Sequence, residues 1–330
     1  MNQTIYIFSD GELKKRGNTL CFITKENKKF IPIENIREIF VLGEVTLNKR
    51  LFEFLTEKKI IIHFFNYYGY YIGSYYPREH LNSGYMILKQ AEHYLNPQKR
   101  ILLAKKFVIG ATENMKKVLS YYDNRGKPVN DIIEKIAKLS QSIDICESVD
   151  ELMAIEGNIK EQYYKAFDVI LDNKHFVFEG RTKRPPQNRL NALISFSNSL
   201  IYTYCLSEIY HTHLDPRIGF LHATNFRRFT LNLDVAEIFK PVIGDRVIFS
   251  IINKGIINEK HFEKKLNGIV LNDKGKQLFI KEMEEKLKST IKHRKLGRHV
   301  SYRTLIRLEL YKIQKHLIGE EEYHPFIAWW

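Results

Sequence analysis

The carboxylate of Glu156 stands in an unusual position for an ionised group. The predicted helix Val149–Leu171 carries an apolar stripe that includes Leu152 and Ile159, and Glu156 projects inside this stripe. A lone carboxylate on a buried face is costly unless it is paired, so we expect a cationic partner. The alternative is a position at the edge of the stripe, with an ordinary ion pair to Lys160 four residues on.

Two further carboxylates, Asp234 and Glu237, lie three residues apart in the predicted helix Phe229–Phe239. Both flank one edge of its apolar stripe, and they repel each other unless a cation lies between them. The alternative is that nearby basic side chains relieve the repulsion, namely Arg227, Arg228 and Lys240.

His222 follows a segment interrupted by proline and glycine, which predicts a structural junction. A single histidine is more often a satisfied core or surface residue than a ligand. Together with Glu156, Asp234 and Glu237, however, it completes a donor set of one nitrogen and several hard oxygens. Such a set suits Mg²⁺ or Mn²⁺ better than zinc.

The charge of the chain indicates what such an ion would face. Its 330 residues include 52 Lys and Arg against 38 Asp and Glu, a net charge of +14. A positive field of this size favours phosphate polymers, which predicts a metal-assisted reaction at a phosphodiester. The basic positions predicted to contact DNA are Arg181, Lys183, Arg184, Arg189, Arg227, Arg228 and Lys240. For the surface clusters, a solvated basic face is an equally weighted alternative.

Other classes of function find little support. No apolar run approaches the length of a membrane span, and the start lacks a signal-peptide pattern, so we expect a cytoplasmic protein without membrane contact. The three cysteines are widely spaced, which favours reduced core thiols. No nucleotide-binding loop, nucleophile elbow or paired-histidine zinc motif is present, and we expect no organic cofactor.

The order of the elements predicts an α+β protein with two domains. Residues 1–85 read as short strands around one helix and end in a tyrosine-rich hairpin, and residues 86–330 carry long segments of helical period. We predict a small N-terminal β domain and a larger, all-α C-terminal catalytic domain. The tyrosines favour core or dimer contacts, with stacking on DNA ends as the alternative.

The ordered motifs resemble one known family. These motifs are Ile155-Glu156-Gly157, Arg184-Pro185-Pro186 leading into Asn191–Phe196, Gly219–His222, Leu233–Pro241 and the ending Tyr323–Trp330. In this combination the chain resembles, over essentially its whole length, the CRISPR-associated endonuclease and integrase of spacer acquisition, the larger of the two universal adaptation proteins.

This resemblance implies a β-then-helical fold and a metal held by Glu156, His222 and Glu237, with Asp234 as an auxiliary carboxylate. Many family members have Asp where this chain has Glu237, and Asp234 remains the other choice for third ligand. The implied reaction is attack of a DNA 3′-hydroxyl on a repeat phosphodiester, or cleavage of double-stranded or branched DNA. The implied partners are a second copy of the chain and the small second adaptation protein.

Alternatives remain open at this point. His222 is either a ligand or a proton-transfer group, since its ordinary pKa suits both roles. The charge would equally suit a general metal-dependent nuclease on branched DNA or RNA, or a DNA-binding scaffold subunit without catalysis.

Overall fold

The computed structural model describes residues 3–78, 81, 83–224, 229–265 and 268–329. The chain divides into two compact units, residues 1–82 and 83–330, close to the boundary predicted at residue 85. The predicted order of a β region followed by a helix-rich region is confirmed.

The described part of the N-terminal unit forms two four-stranded sheets and a helix. In one sheet the order is β1-β5-β7-β8, and in the other it is β4-β3-β2-β6. The elements are β1 (Gln3–Ile7), β2 (Gly11–Arg16), β3 (Thr19–Ile23), β4 (Lys28–Pro32), β5 (Ile36–Val41), β6 (Val45–Thr46), α1 (Lys49–Lys58), β7 (Ile61–Phe65) and β8 (Tyr71–Tyr75). The sequence did not predict β2 or β6. Strand β2 buries Leu13 between polar neighbours, too weak a signal for a strand.

The tyrosine-rich segment forms the predicted hairpin, with β7 antiparallel to β8. Tyr75 packs against Phe52, with ring centroids 4.6 Å apart, and its hydroxyl donates to the Phe52 carbonyl. Tyr71 meets the edge of Phe65. These two tyrosines therefore contribute to packing within the unit, while the roles of this domain in dimerisation and DNA-end contact stay predictions.

The C-terminal unit contains every helix predicted after the N-terminal β region. They are α2 (Gly84–Leu95), α3 (Pro97–Asp123), α4 (Asn130–Ser140), α5 (Ser142–Ile145), α6 (Val149–Leu171), α7 (Arg189–Tyr210), α8 (Leu231–Phe239), α9 (Arg246–Asn253), α10 (Asp273–Lys288) and α11 (Tyr302–Leu317), of which α5 and α9 were not predicted. A π-helix, Lys240–Asp245, joins α8 to α9. Helix α10 starts before Ile280, where the sequence pattern predicts its first residue, because Asn272 caps it by accepting from the backbone N–H of Gly275.

Two β-hairpins correct the expectation that this unit is purely helical. Strands β9 (Phe262–Lys265) and β10 (Gly268–Leu271) form one, and β11 (Thr290–Lys292) and β12 (His299–Ser301) form the other. Both lie in lysine-rich segments whose short alternations do not stand out from loops in the sequence.

Helix α7 forms the centre of the unit, because nearly all of its residues are buried. Helix α8 packs against both α7 and α3, and α6 packs against α3 and α4. The helices that carry the predicted site residues therefore lie at the core. No described helix is long and apolar enough to cross a membrane. The three cysteines are buried free thiols.

Two glycines in this unit provide a matched test of the packing. A Cβ on Gly110 of α3 would lie 2.7 Å from the Pro325 Cβ, whereas a Cβ on Gly157 of α6 would meet no described atom within 4 Å. Gly110→Ala should lower the free energy of unfolding by about 1–3 kcal/mol through overpacking. Gly157→Ala should raise it by up to about 1 kcal/mol, because alanine favours the helix. Urea unfolding of both variants beside the parent measures this, and equal midpoints for Gly110→Ala and parent would contradict the packing.

Candidate functional site

Glu156 lies on α6 as the stripe predicted, with a relative exposure of 6%. The helix begins where expected, since the Ser148 hydroxyl accepts from the Glu151 backbone N–H. Leu152 and Ile159, on either side of Glu156 in the stripe, are fully buried. The carboxylate is therefore fixed in the core of the unit on a rigid element.

His222 is held by Asp234, which is fully buried on α8. The Asp234 carboxylate accepts hydrogen bonds from the backbone N–H groups of Phe220, Leu221 and His222, at 2.5, 3.0 and 2.9 Å. It also contacts His222 Nδ1 at 2.8 Å. Because a carboxylate can only accept, Nδ1 is the donor in this contact, which leaves Nε2 as the ring nitrogen that can meet another partner.

Gly219 allows this loop to approach α8 so closely. A Cβ at this position would lie 2.7 Å from the Thr230 carbonyl carbon and 2.8 Å from Asp234 Oδ2. The Gly219 N–H donates to Thr230 Oγ1 at 2.8 Å, which anchors the loop at the start of α8. A side chain at residue 219 would push the backbone donors away from Asp234.

Glu237 lies on α8 and is nearly fully buried. Its Oε1 contacts Lys240 Nζ at 2.5 Å, and its Oε2 contacts Lys160 Nζ at 2.8 Å. Burial alone would raise the pKa of Glu237, but Lys160, Lys240 and the nearby His222 outweigh it and hold the pKa well below its usual range. Glu237 is therefore an ionised carboxylate whose charge is stabilised by the two lysines and by His222.

Lys160 joins the two predicted ligand helices. Its ammonium contacts Glu156 Oε1 on α6 as well as Glu237 Oε2 on α8. Burial lowers the pKa of Lys160, but the two carboxylates raise it well above its ordinary value. The ordinary ion pair between Glu156 and Lys160, the alternative interpretation of Glu156, is present. The same lysine also contacts a second carboxylate, which comes from another helix.

The side chains of Glu156, His222 and Glu237 are of the types that bind a hard divalent cation, but they do not converge on one point. Within the part of the chain that the structure describes, no three His, Cys, Asp or Glu side chains converge as metal ligands. Glu156 Oε1 and Glu237 Oε2 are buried, and neither accepts a hydrogen bond of regular geometry from a described residue. Both oxygens instead contact the Lys160 ammonium, and carboxylate oxygens are the ligand type that hard divalent cations prefer.

The two candidates for third ligand differ in what their oxygens already do. Both oxygens of Asp234 accept short hydrogen bonds from the loop and from His222. Both oxygens of Glu237 instead contact lysine ammonium groups, which lie at the ends of long side chains. Since a lysine can move away more easily than a folded backbone loop, Glu237 is the better placed of the two to bind an ion.

The predicted DNA-contacting residues occupy different environments. Lys183 and Arg184 are exposed, and the pKa of Lys183 is lowered by partial burial and then by Arg181, Lys160 and Lys240. Arg181 instead donates to Asn191 Oδ1 at 2.9 Å and Ser195 Oγ at 3.1 Å.

The remaining predicted contacts are less open to a ligand. Lys240 is buried, with its ammonium 4.6 Å from the centre of the Tyr202 ring, and Arg189 donates to the His175 carbonyl. Arg227 and Arg228 lie outside the described residues.

Sequence reasoning missed Asp245, a buried carboxyl in the π-helix after α8 whose charge interacts with Glu237. Burial raises its pKa to about 7, and Glu237 adds to this, while Tyr163 and the two lysines oppose it. Asp245, between Gly244 and Arg246, gave no periodic signal, because a π-helix shifts the register that α-helical spacing assumes.

Comparison with known proteins gives a consistent result. The profile of the family described as "CRISPR associated protein Cas1" matches residues 5–285. A curated relative from Thermodesulfovibrio yellowstonii, "CRISPR-associated endonuclease Cas1 2", is 72% identical over 330 residues and covers 100% of both chains. A solved CAS1 protein from Thermotoga maritima superposes with a TM-score of 0.89 at 49% identity, covering 98% of this chain and 99% of that one. A casposase bound to integration product has the same fold, with a TM-score of 0.89 at 20% identity over 99% of this chain and 94% of that one.

The Asp234 network gives a prediction about stability. In Asp234→Asn, the amide nitrogen replaces an accepting oxygen and leaves at least one buried N–H of the 220–222 loop unpaired, which should cost about 1–3 kcal/mol of unfolding free energy. His222→Ala should cost less, because the backbone donors keep their carboxylate. Urea unfolding of the two variants measures the difference, and a larger loss in His222→Ala would show that the ring, not the loop backbone, is the main partner.

Proposed function

The chain belongs to the Cas1 family of CRISPR-associated proteins, and on that premise we propose that Glu156, His222 and Glu237 form its catalytic site. The protein is an endonuclease and integrase of CRISPR adaptation. One observation supports the assignment most directly: two buried carboxylates from separate helices share one ammonium, and the charge of one of them, Glu237, interacts with a histidine that Asp234 orients. A structural ion pair would not require the oriented histidine.

The metal would be Mg²⁺ or Mn²⁺, held by carboxylate oxygens of Glu156 and Glu237 and by His222 Nε2. When bound, such an ion supplies charge neutralisation at the phosphodiester under attack. The oxygens that accept no regular hydrogen bond and the available imidazole nitrogen support this choice of ligands.

The residues around the ligands would hold the site in order. Asp234 keeps the proton on His222 Nδ1 and fixes the loop that carries the ring. Lys240 balances the charge of Glu237 at Oε1, whereas Lys160 contacts Oε2. The exposed Lys183 and Arg184 would neutralise backbone phosphates and position the strand without reading its sequence.

The substrate would be DNA with a 3′-hydroxyl end, which attacks a repeat phosphodiester, or double-stranded or branched DNA that water cleaves. Partners would be a second copy of the chain and the small second adaptation protein. These proposals follow from family membership, and the positive net charge of +14 is consistent with a DNA substrate.

Removal of the Glu156 charge tests the site. Glu156→Gln keeps the size of the side chain, and it should lower Mn²⁺-dependent strand transfer and cleavage by about a hundredfold or more, because second-shell changes alone cost 10–100-fold. Glu161→Gln on the same helix is the matched control, since Glu161 is exposed and pairs with Lys165 at the surface. Radiolabelled DNA strand transfer, with branched DNA and structured RNA as parallel substrates, measures the effect.

Two outcomes would overturn this assignment. Full activity of folded Glu156→Gln in Mn²⁺ would remove Glu156 from the site. Cleavage of RNA in preference to DNA by the parent would replace the DNA reaction with RNA processing.

The role of His222 has a separate test. If Nε2 is a ligand, His222→Ala should weaken Mn²⁺ affinity about tenfold or more together with the rate. If the ring transfers a proton, affinity should stay the same while the rate falls. Calorimetric titration of Mn²⁺ into both proteins, beside strand-transfer rates, distinguishes the roles, and unchanged affinity would exclude ligation by His222.

A further inference from the structure

Lys160 occupies the point where the two proposed ligand carboxylates meet. We infer that its ammonium is a built-in counter-cation that holds Glu156 and Glu237 together in the metal-free protein and is displaced when a divalent cation binds. This inference rests on the proposed function of the site. It assigns to Lys160 a role in metal loading rather than in contact with the reacting phosphate.

The geometry carries the first step. Lys160 lies four residues after Glu156, one turn along α6, so the contact between them is local. The contact with Glu237 at 2.8 Å is long-range and crosses from α6 to α8. One ammonium therefore bridges exactly the pair of helices that a shared metal ion would bridge.

Burial explains why a cation is needed there at all times. Glu156 and Glu237 are 6% and 2% exposed, and two buried carboxylates at one point repel strongly unless a positive charge separates them. Lys160 supplies that charge without any bound ligand. The site is consequently preformed before metal arrives, instead of being opened by repulsion.

Displacement follows from space and charge. An ammonium and a divalent ion cannot both lie between Glu156 Oε1 and Glu237 Oε2, because the like charges repel and the oxygens are already in contact with Nζ. Lys160 is 23% exposed, so its long side chain has a route toward solvent, whereas Lys240 is 10% exposed and stays with Glu237 Oε1.

The exchange changes the charge of the site. Glu156 and Glu237 are balanced by Lys160 and Lys240 in the metal-free protein. After a divalent ion replaces Lys160 between the carboxylates, the site has an excess positive charge, and the displaced ammonium adds to it nearby. A phosphodiester then supplies the missing negative charge, so metal and DNA should bind more tightly together than separately.

A second lysine on α6 provides the control. Lys165 pairs with Glu161 at the same spacing of four residues, but both side chains are more than half exposed and the contact is 3.3 Å. Such a surface pair contributes little and has no metal site beside it. Lys165→Met should therefore behave as the parent does.

Calorimetric titration of Mn²⁺ into the full-length, DNA-free protein tests the inference, with Glu156→Gln used to subtract binding elsewhere. Lys160→Met should bind Mn²⁺ at least tenfold more tightly than the parent, because no ammonium has to leave. Without metal its Tm should be lower, and Mn²⁺ should raise that Tm by more than in the parent. Lys160→Gln, which is polar but uncharged, serves the same purpose if the methionine variant does not fold.

Each result decides a different claim. Equal or weaker Mn²⁺ affinity in folded Lys160→Met or Lys160→Gln overturns the counter-cation role and leaves the proposed site intact. Failure of both the parent and the Lys160 variants to bind Mn²⁺ at Glu156 overturns the metal site itself. Tighter binding in Lys160→Met with unchanged binding in Lys165→Met supports the displacement.

Discussion

Burial of two carboxylates on a single short helix is the constraint on which the C-terminal unit depends. Asp234 and Glu237 of α8 are both buried, and an ionised carboxylate away from water is tolerated only when strong partners surround it. The chain meets this requirement in two ways. Asp234 accepts hydrogen bonds from the backbone of the loop at residues 220–222, and Glu237 forms ion pairs with Lys160 and Lys240. The anchoring of the His222 loop meets the first requirement, and the ion pair between α6 and α8 meets the second.

Residues near the end of the sequence are linked to helix α8 through Asn114. Asn114 of α3 donates to the carbonyls of Ile238 and Phe326 at 2.9 and 3.0 Å, and its Oδ1 accepts from the Ala328 N–H. Ile238 lies where α8 passes into the π-helix, a point at which backbone carbonyls need partners outside the regular pattern. One fully buried amide thus joins the last residues to the helix that carries Glu237. This contact gives the motif at the end of the sequence a structural reason.

Local signals in the sequence were enough for part of the site, and tertiary contacts were needed for the rest. The apolar stripe of α6 predicted both the helix and the burial of Glu156, because it depends on residues within a few turns of one helix. The spacing of Asp234 and Glu237 predicted two carboxylates on one flank, with Lys240 as one possible cation partner, and Lys240 does pair with Glu237. The spacing did not predict the backbone donors of the 220–222 loop or Lys160 of α6. The lysine-rich hairpins and the π-helix were missed because their periods are short or irregular.

Lys160 shows most clearly where local reasoning stops. Its spacing from Glu156 indicated an ordinary ion pair, and that pair exists. What the spacing could not contain is the second carboxylate, since the approach of α8 depends on the packing of both helices against α3. The sequence therefore predicts only an ion pair within one helix for Lys160. In the folded protein, Lys160 bridges two helices. A buried acidic residue with a basic residue one turn away therefore predicts the local ion pair. It does not show whether a second acidic residue from another helix contacts the same ammonium.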